Sequence, residues 1–181
     1  LHLCDYNLES ISNYDSGKAT HTLLAEVCMA AKYEGESLTR YHTPHQQTYD
    51  DSASQLCTVL ARSFADIGDI VRGRDLYLGD KKEKLKLEEK LRQYFKNIHD
   101  NLEGAAKNHY EGDYPDYFQL REDWWYANRR QVWKAITCDA LQNANYFRNA
   151  CSEGTTSTQG RCRCDGDQVP TYFDYVPQYL R

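Results

Sequence analysis

The stretch SASQLCTVLARSFADIGDIVRG, residues 52–73, decides the fold class. Leu56, Val59, Leu60, Phe64, Ile67, Ile70 and Val71, with the small Ser63, recur every three or four residues, which is the period of a helix with one buried side. Gly73 is a natural stop for it. Three more helical patterns lie around this one. Residues 18–41 place Leu24, Cys28 and Ala31 beside Leu23, Val27 and Ala30, before Pro44 and its polar neighbours break the period. Residues 80–103 carry Leu87, Leu91, Tyr94, Phe95, Ile98 and Leu102 on one stripe, and Gly104 ends it. Residues 116–142 carry two stripes: Phe118, Trp125, Val132 and Ile136 on one, Leu120, Trp124, Ala127 and Ala135 on the other. A double stripe implies burial against two neighbours. Arg121 falls on the first stripe, as a paired, partly buried arginine would. The expected architecture is all-α, a disulfide-linked helical bundle with irregular N-terminal and C-terminal pieces.

Composition narrows the class. The 181 residues carry 27 acidic against 22 basic side chains, a net charge of −5, which argues against a generic nucleic-acid binder. Leu, Ile, Val and Phe make up only roughly 18%, a fraction at which disorder has to be considered. Fifteen tyrosines, three tryptophans and seven cysteines argue for a fold whose thin aliphatic core is supplemented by aromatics and cross-links. No run approaches 18 apolar residues, so neither a membrane span nor membrane contact by this segment is expected, and no secretory signal is evident. The chain opens at Leu1 without Met and reads as an excised piece of something longer.

Cys4, Cys28, Cys57, Cys138, Cys151, Cys162 and Cys164 are many for a cytosolic protein and plausible for an extracellular one. The odd count leaves at least one sulfur free or bonded outside the chain. Zinc is the competing reading, through Cys162-Arg163-Cys164 and His42-Thr43-Pro44-His45. Structural zinc sites pair two knuckles of suitable spacing. Neither motif has such a partner, so no metal and no cofactor are expected. No Asn-x-Ser/Thr acceptor for N-glycosylation occurs.

Catalysis finds little support. Glu122 and Asp123 could be drawn as an acid pair with His99 or His109 as base. Consecutive helical residues, however, point about 100° apart and do not converge on a bond as a glycosidase pair does. No nucleophile elbow, P-loop, zincin or dinucleotide fingerprint is present. Binding is the better reading. Residues 81–96 hold Lys81, Lys82, Lys84, Lys86, Lys90, Arg92 and Lys96 against Glu83, Glu88 and Glu89, a local excess of +4 within an acidic chain. Such an edge attracts sulfated glycan by counterion release and charge-assisted hydrogen bonds. The same pattern also suits the wet side of a helix. Arg129 and Arg130 form a second, smaller candidate.

Longer strings carry a resemblance. Ala61 to Gly73 resembles the core motif of the Duffy-binding-like domains of malaria parasites. Leu120-Arg121-Glu122-Asp123-Trp124-Trp125, followed by Val132 to Cys138, looks like that family's fourth-helix signature. Cys162-Arg163-Cys164 leading into Asp165 to Arg181 resembles the alpha-class domain at the head of the erythrocyte membrane protein 1 adhesins. The resemblance covers essentially the whole chain and implies three pieces: residues 1–16 as the tail of a first subdomain, 17–165 as the helical second, and 166–181 as the start of a truncated third. It implies Cys57–Cys151 and Cys28–Cys138 bridges, with Cys4, Cys162 and Cys164 bonded outside the fragment. It implies no catalysis, but adhesion on the surface of the infected erythrocyte as part of a membrane-anchored protein. The implied partners are a host cell-surface glycan or receptor (heparan sulfate-like glycan, blood-group sugar or complement receptor), host antibodies and adjacent domains of the same adhesin. A non-binding, antigenically variable spacer is the alternative. Asp66, Asp69, Arg72 and Arg121 then read as a buried ionic network. Tyr172, Phe173, Tyr175 and Tyr179 are expected to stand exposed with nothing to pack on.

Overall fold

The computed structural model describes residues 19–46, 52–76 and 81–181. Five helices follow in chain order: α1 (Ala19–Gln46), α2 (Ser52–Arg72), α3 (Lys81–Asp100), the short α4 (Gly104–His109) and α5 (Phe118–Ile136). Three 3-10 turns, Asp165–Asp167, Phe173–Tyr175 and Gln178–Leu180, punctuate the C-terminal segment. Among the described residues there is no strand, only an isolated bridge between Cys151 and Thr156. The expected all-α bundle is the observed one. Residues 1–16, and with them Cys4, lie outside the described residues.

The helical stripes bury as their spacing requires. Leu23, Val27, Leu56, Leu60, Phe64, Val71, Phe95, Trp125, Val132 and Ile136 are all sealed from solvent. Aromatics fill what a thin aliphatic core leaves open. Phe64 lies between Trp125 and Trp133, at 5.2 and 5.1 Å, and Phe95 meets Trp124 edge-on at 6.0 Å. Each such pair adds about 0.5–1.5 kcal/mol to the area it buries. The tightest crossing is α1 on α5. A Cβ added to Gly35 would stand 1.9 Å from the carbonyl oxygen of Ile136, so only glycine lets the two backbones meet there.

Helix ends differ in detail from the expected ones. α1 continues to Gln46, past Pro44, whose missing donor affects one bond in a terminal turn. α3 ends at Asp100, before Gly104, which instead opens α4. α2 closes on Gly73 at φ 71°, with Gly73 N–H donating to Ile70 O at 3.1 Å and Arg74 N–H to Asp69 O at 2.7 Å, the Schellman pattern. α5 starts from the left-handed Tyr117, and the Asp113 carboxylate accepts from the N–H groups of Gln119 and Leu120 at 3.0 and 2.8 Å. That satisfies two of its open donors. Phe118, expected on a buried stripe, is the first residue of α5 and is half exposed.

The disulfides correct the expected pairing. Cys57 bonds Cys162 and Cys151 bonds Cys164, closing separations of 105 and 13 residues. The local turn gives the reason. Gly160, Arg161 and Cys162 all have positive φ, and this bend brings the fully buried Cys162 against α2, where Trp133 Nε1–H donates to its carbonyl at 3.1 Å. Cys164, two residues on, then meets Cys151. Neither Cys162 nor Cys164 therefore needs a partner beyond the fragment, and the zinc reading of this pair falls with their oxidation. Cys28 and Cys138 are free thiols, not a bridge: Cys28 is partly buried on α1, whereas Cys138 is exposed past the end of α5. In the chain-entropy model the 105-residue closure contributes about 4–5 kcal/mol.

Candidate functional site

Charged side chains in this molecule fall into two sets. One set is internal. Arg72, with a side chain only 1% exposed, donates Nε–H to Gly68 O at 2.9 Å, Nη2–H to Asp69 at 3.0 Å and Nη1–H to Glu122 at 3.1 Å, and also bonds the carbonyl of Asp174. Arg121 reaches the last carbonyls of α2, donating to Val71 O at 2.7 Å and Ile70 O at 3.1 Å, and forks onto Glu88 at 2.7 and 2.9 Å. A cation at a helix C-terminus also answers the negative end of the helix dipole.

Arg129 completes the set and corrects a sequence expectation. It is buried, and its Nε–H and Nη2–H clamp both oxygens of Asp174 at 2.7 and 2.8 Å while Nη2–H also donates to Thr171 O at 2.8 Å. The bidentate clamp, together with burial, holds this guanidinium inside the protein rather than on an open face. Trp125 Nε1–H adds a bond to the same carboxylate at 2.9 Å. Arg181 pairs with Asp69 and lies 3.7 Å from Asp66. Burial is the main force on those two aspartates and pushes both carboxyls up, with the Arg181 charge opposing it. Asp66, Asp69 and Arg72 thus share an ionic network through Arg181, with Asp174 as an unforeseen member, whereas Arg121, expected in the same network, pairs separately with Glu88.

This network straps the C-terminal segment to α2 and α5. The tyrosine-rich stretch therefore does have something to pack on, contrary to expectation, although three of its rings stay exposed as expected. Phe173 rests on the core, and the Arg129 guanidinium lies 5.4 and 5.3 Å from the ring centres of Tyr172 and Tyr175. Tyr172 and Tyr179 remain mostly exposed, and Tyr175 is exposed to a lesser degree. Beside the strap runs an open groove of about 570 Å³ bordered by Tyr146, Arg148, Glu153, Tyr172 and Val176.

The second set of charges faces outward on α3. Lys82 and Lys86 are exposed and Lys90 is partly buried, at i, i+4 and i+8 on one edge of the helix. Four residues advance about 6 Å along a helix, so their ammonium groups repeat at that order of spacing. Among the described residues Lys86 and Lys90 have no ion pair. Lys84 departs from the group, bonded to Asp75 at 2.6 Å and largely covered. The side chain of Lys81 lies outside the described residues. Arg130 is exposed, but on α5, a different helix.

The residues considered for catalysis are engaged elsewhere. Glu122 bridges Arg72 at 3.1 Å and Arg74 at 2.7 Å, and Asp123 accepts from the Tyr110 hydroxyl at 2.8 Å. Burial, together with that bond, pushes the Tyr110 hydroxyl up to about 12. His99 sits 3.3 Å from the carbonyl of Tyr110, and His109 3.1 Å from the Gln119 carboxamide. No group of His, Cys, Asp and Glu among the described residues is arranged to hold a metal, and no helix among them is long and apolar enough to cross a membrane.

Comparison with known proteins agrees with this layout. Among curated proteins no match is found. Solved structures match closely. The NTS-DBL1(alpha-1) domain of Plasmodium falciparum membrane protein 1 (PfEMP1) from the varO strain superposes with a TM-score of 0.83 at 45% identity, over 99% of this chain and 40% of that one. A double domain of the same strain, DBL1-alpha with CIDR-gamma, gives the same score and identity over 25% of its length. A PfEMP1 DBLbeta domain solved bound to ICAM-1 gives 0.70 at 31% identity, over 99% of this chain and 40% of that one. The chain thus spans less than half of each. The model of the Duffy binding domain matches residues 1–181, and the chain belongs to that family.

Proposed function

We propose that this chain is part of an adhesion module of a variant surface antigen displayed on infected erythrocytes, and that it binds a polyanionic host receptor through the outer edge of α3. Lys82, Lys86, Lys90 and, on its own helix, Arg130 are the contacts. Residues 17–165 form the helical unit, and residues 166–181 lead into a third subdomain. One observation carries the reading: the buried Arg72, Arg121 and Arg129 are each paired with a carboxylate, whereas among the described residues the exposed Lys86 and the partly buried Lys90 on the α3 edge have no ion pair. Sulfated glycans of the heparan sulfate type suit repeated, mobile ammonium groups of this kind, through charge-assisted hydrogen bonds and release of counterions.

Retention of the disulfide-bonded protein on immobilised heparin across a salt gradient tests the reading. Steep loss of retention with rising salt is the expected result. Absence of retention even at low salt transfers the activity to a neutral blood-group sugar or a protein receptor such as complement receptor, in line with the relative solved on ICAM-1. The spacer alternative draws on the exposed Tyr172 and Tyr179 and the adjoining groove, a face suited to a neighbouring adhesin domain. Surface exposure of the α3 edge also makes it a ready epitope for host antibodies.

A further inference from the structure

The turn between the two disulfides is held from several sides. Cys162 is bonded to Cys57 and Cys164 to Cys151. Arg161 N–H donates to Leu141 O at 3.2 Å, Cys162 N–H to Ala144 O at 2.9 Å and Gln159 N–H to Arg163 O at 2.8 Å. Gly160 lies so close to its neighbour that a Cβ there would stand 2.1 Å from Gln142 O. A backbone ordered by folding has little left to lose on binding. Against this turn opens a hollow of about 480 Å³, lined by Gln142, Gln159, Arg161, Arg163 and Asp165. That volume falls within the roughly 300–1,000 Å³ of small-molecule sites.

Its two cations have no carboxylate partner among the described residues. Arg163 is partly buried and donates Nε–H to Thr137 Oγ1 at 2.8 Å and Nη2–H to Lys134 O at 2.7 Å. These neutral acceptors orient the guanidinium and leave its other N–H groups uncommitted. Arg161 is exposed, and among the described residues its side chain makes no hydrogen bond or ion pair. It stands at φ 49°, where glycine or asparagine sits more easily, so the fold gains nothing from an arginine there.

The lining selects the ligand. It offers no apolar side chain to anchor a peptide or a lipid. Two guanidiniums suit an anion, with planar N–H forks that match carboxylate or sulfate oxygens. The carboxamides of Gln142 and Gln159 and the carboxylate of Asp165 supply acceptors, which sugar hydroxyls can use and a bare anion cannot. We propose that this hollow binds one acidic sugar, its carboxylate or sulfate on Arg161 and Arg163 and its hydroxyls on Gln142, Gln159 and Asp165. It rests on the glycan reading for the class of ligand and on none of the α3 residues. Arg163 meets the last turn of α5, whereas Arg121 holds Glu88 of α3 in the first, about 24 Å away at the rise of a helix. A single sugar in an open hollow adds to the avidity of the α3 edge without replacing it.

The probe is a sulfated heparin disaccharide, titrated into the isotope-labelled, disulfide-bonded protein and followed by NMR. Saturable shifts are expected at the amides of residues 159–165 and at the side-chain amides of Gln142 and Gln159, and they are expected to persist in Lys82→Glu/Lys86→Glu/Lys90→Glu. Arg161→Asn suits the left-handed backbone and keeps the melting temperature, and is expected to weaken binding about tenfold or more. Asp165→Ala is expected to weaken it as well, by removing an acceptor for hydroxyls. The unsulfated disaccharide, which keeps its carboxylate, shows which acidic group is held: undiminished binding assigns the carboxylate, lost binding the sulfate. No shift at this turn, with heparin retention still lost in the α3 variant, overturns this inference alone. Shifts that vanish in the α3 variant place the sugar on α3 and also overturn it. Inorganic sulfate binding as tightly as the disaccharide, or tighter binding by Asp165→Ala, leaves a bare anion site and overturns the sugar. Shifts at this turn with heparin retention unchanged in the α3 variant overturn the lysine edge and leave this site standing.

Discussion

Arg129 and Arg130 are neighbours in the chain and opposites in the molecule. Arg129 is buried and clamps the Asp174 carboxylate with two bonds. Arg130 is exposed. The contrast between the strap and the α3 edge is the same one at larger scale. In the strap, Arg72, Arg129 and Arg181 converge on Asp69 and Asp174 inside the protein. On α3, the exposed Lys86 and the partly buried Lys90 have no ion pair among the described residues. A rotation of about 100° per residue separates the two fates. A cation here is therefore structural or available for binding according to helical phase, and its identity alone decides neither.

The strap should break first and hardest. Asp174→Ala leaves the buried Arg129 guanidinium without a counter-charge, and breaking one side of a buried pair costs about 3–5 kcal/mol. Urea unfolding measures it, and a loss below about 1 kcal/mol would show that the strap is not coupled to the bundle. Cys57→Ser, which opens the 105-residue closure, is expected to cost about 2–5 kcal/mol by the same assay under oxidising conditions. Gly35→Ala forces the α1–α5 crossing apart and is expected to cost about 1–3 kcal/mol.

Effects on the outer edge run the other way. Lys86→Glu/Lys90→Glu should change stability by no more than about 0.5 kcal/mol. The smallest effect separates the two free thiols. Burial pushes the Cys28 thiol up to about 11 from 9.0. At pH 8 only about one Cys28 in a thousand is then thiolate, so mass-resolved alkylation of the native protein should label Cys138 first. The Cys28 rate should climb about tenfold per pH unit toward pH 11. The unfolded chain loses this proton near 9, before the native one does, so the Cys28 contribution to stability falls as pH rises through that window. Labelling of Cys28 as fast as Cys138 at pH 8 would contradict its burial.

The helices were legible because periodic burial is a local property. Leu87, Leu91, Tyr94 and Phe95 read inward from spacing alone and are inward. Arg129 was legible in principle, at i+8 from Arg121 and i+4 from Trp125 on the same buried stripe. Its charge suggested surface, and its partner Asp174 lies 45 residues on in an irregular segment. The cysteine pairing was not legible. It turns on positive φ at Arg161 and Cys162, where side chains rarely sit and which no local composition announces. Spacing placed Phe118 on a stripe but carries no information on where the helix starts, and at its first residue the ring stays at the edge. For the lysines, the pattern gave the phase of Lys82, Lys86 and Lys90. The pairing of Lys84 with Asp75 across the 77–80 connection was beyond it.

The central claim is that the internal cations hold the scaffold while the α3 edge meets the receptor. Its most direct test is heparin retention of the Lys82→Glu/Lys86→Glu/Lys90→Glu protein beside the parent, with helicity checked by circular dichroism. Retention lost with helicity unchanged is the predicted result. Retention equal to the parent, again with helicity unchanged, would contradict it.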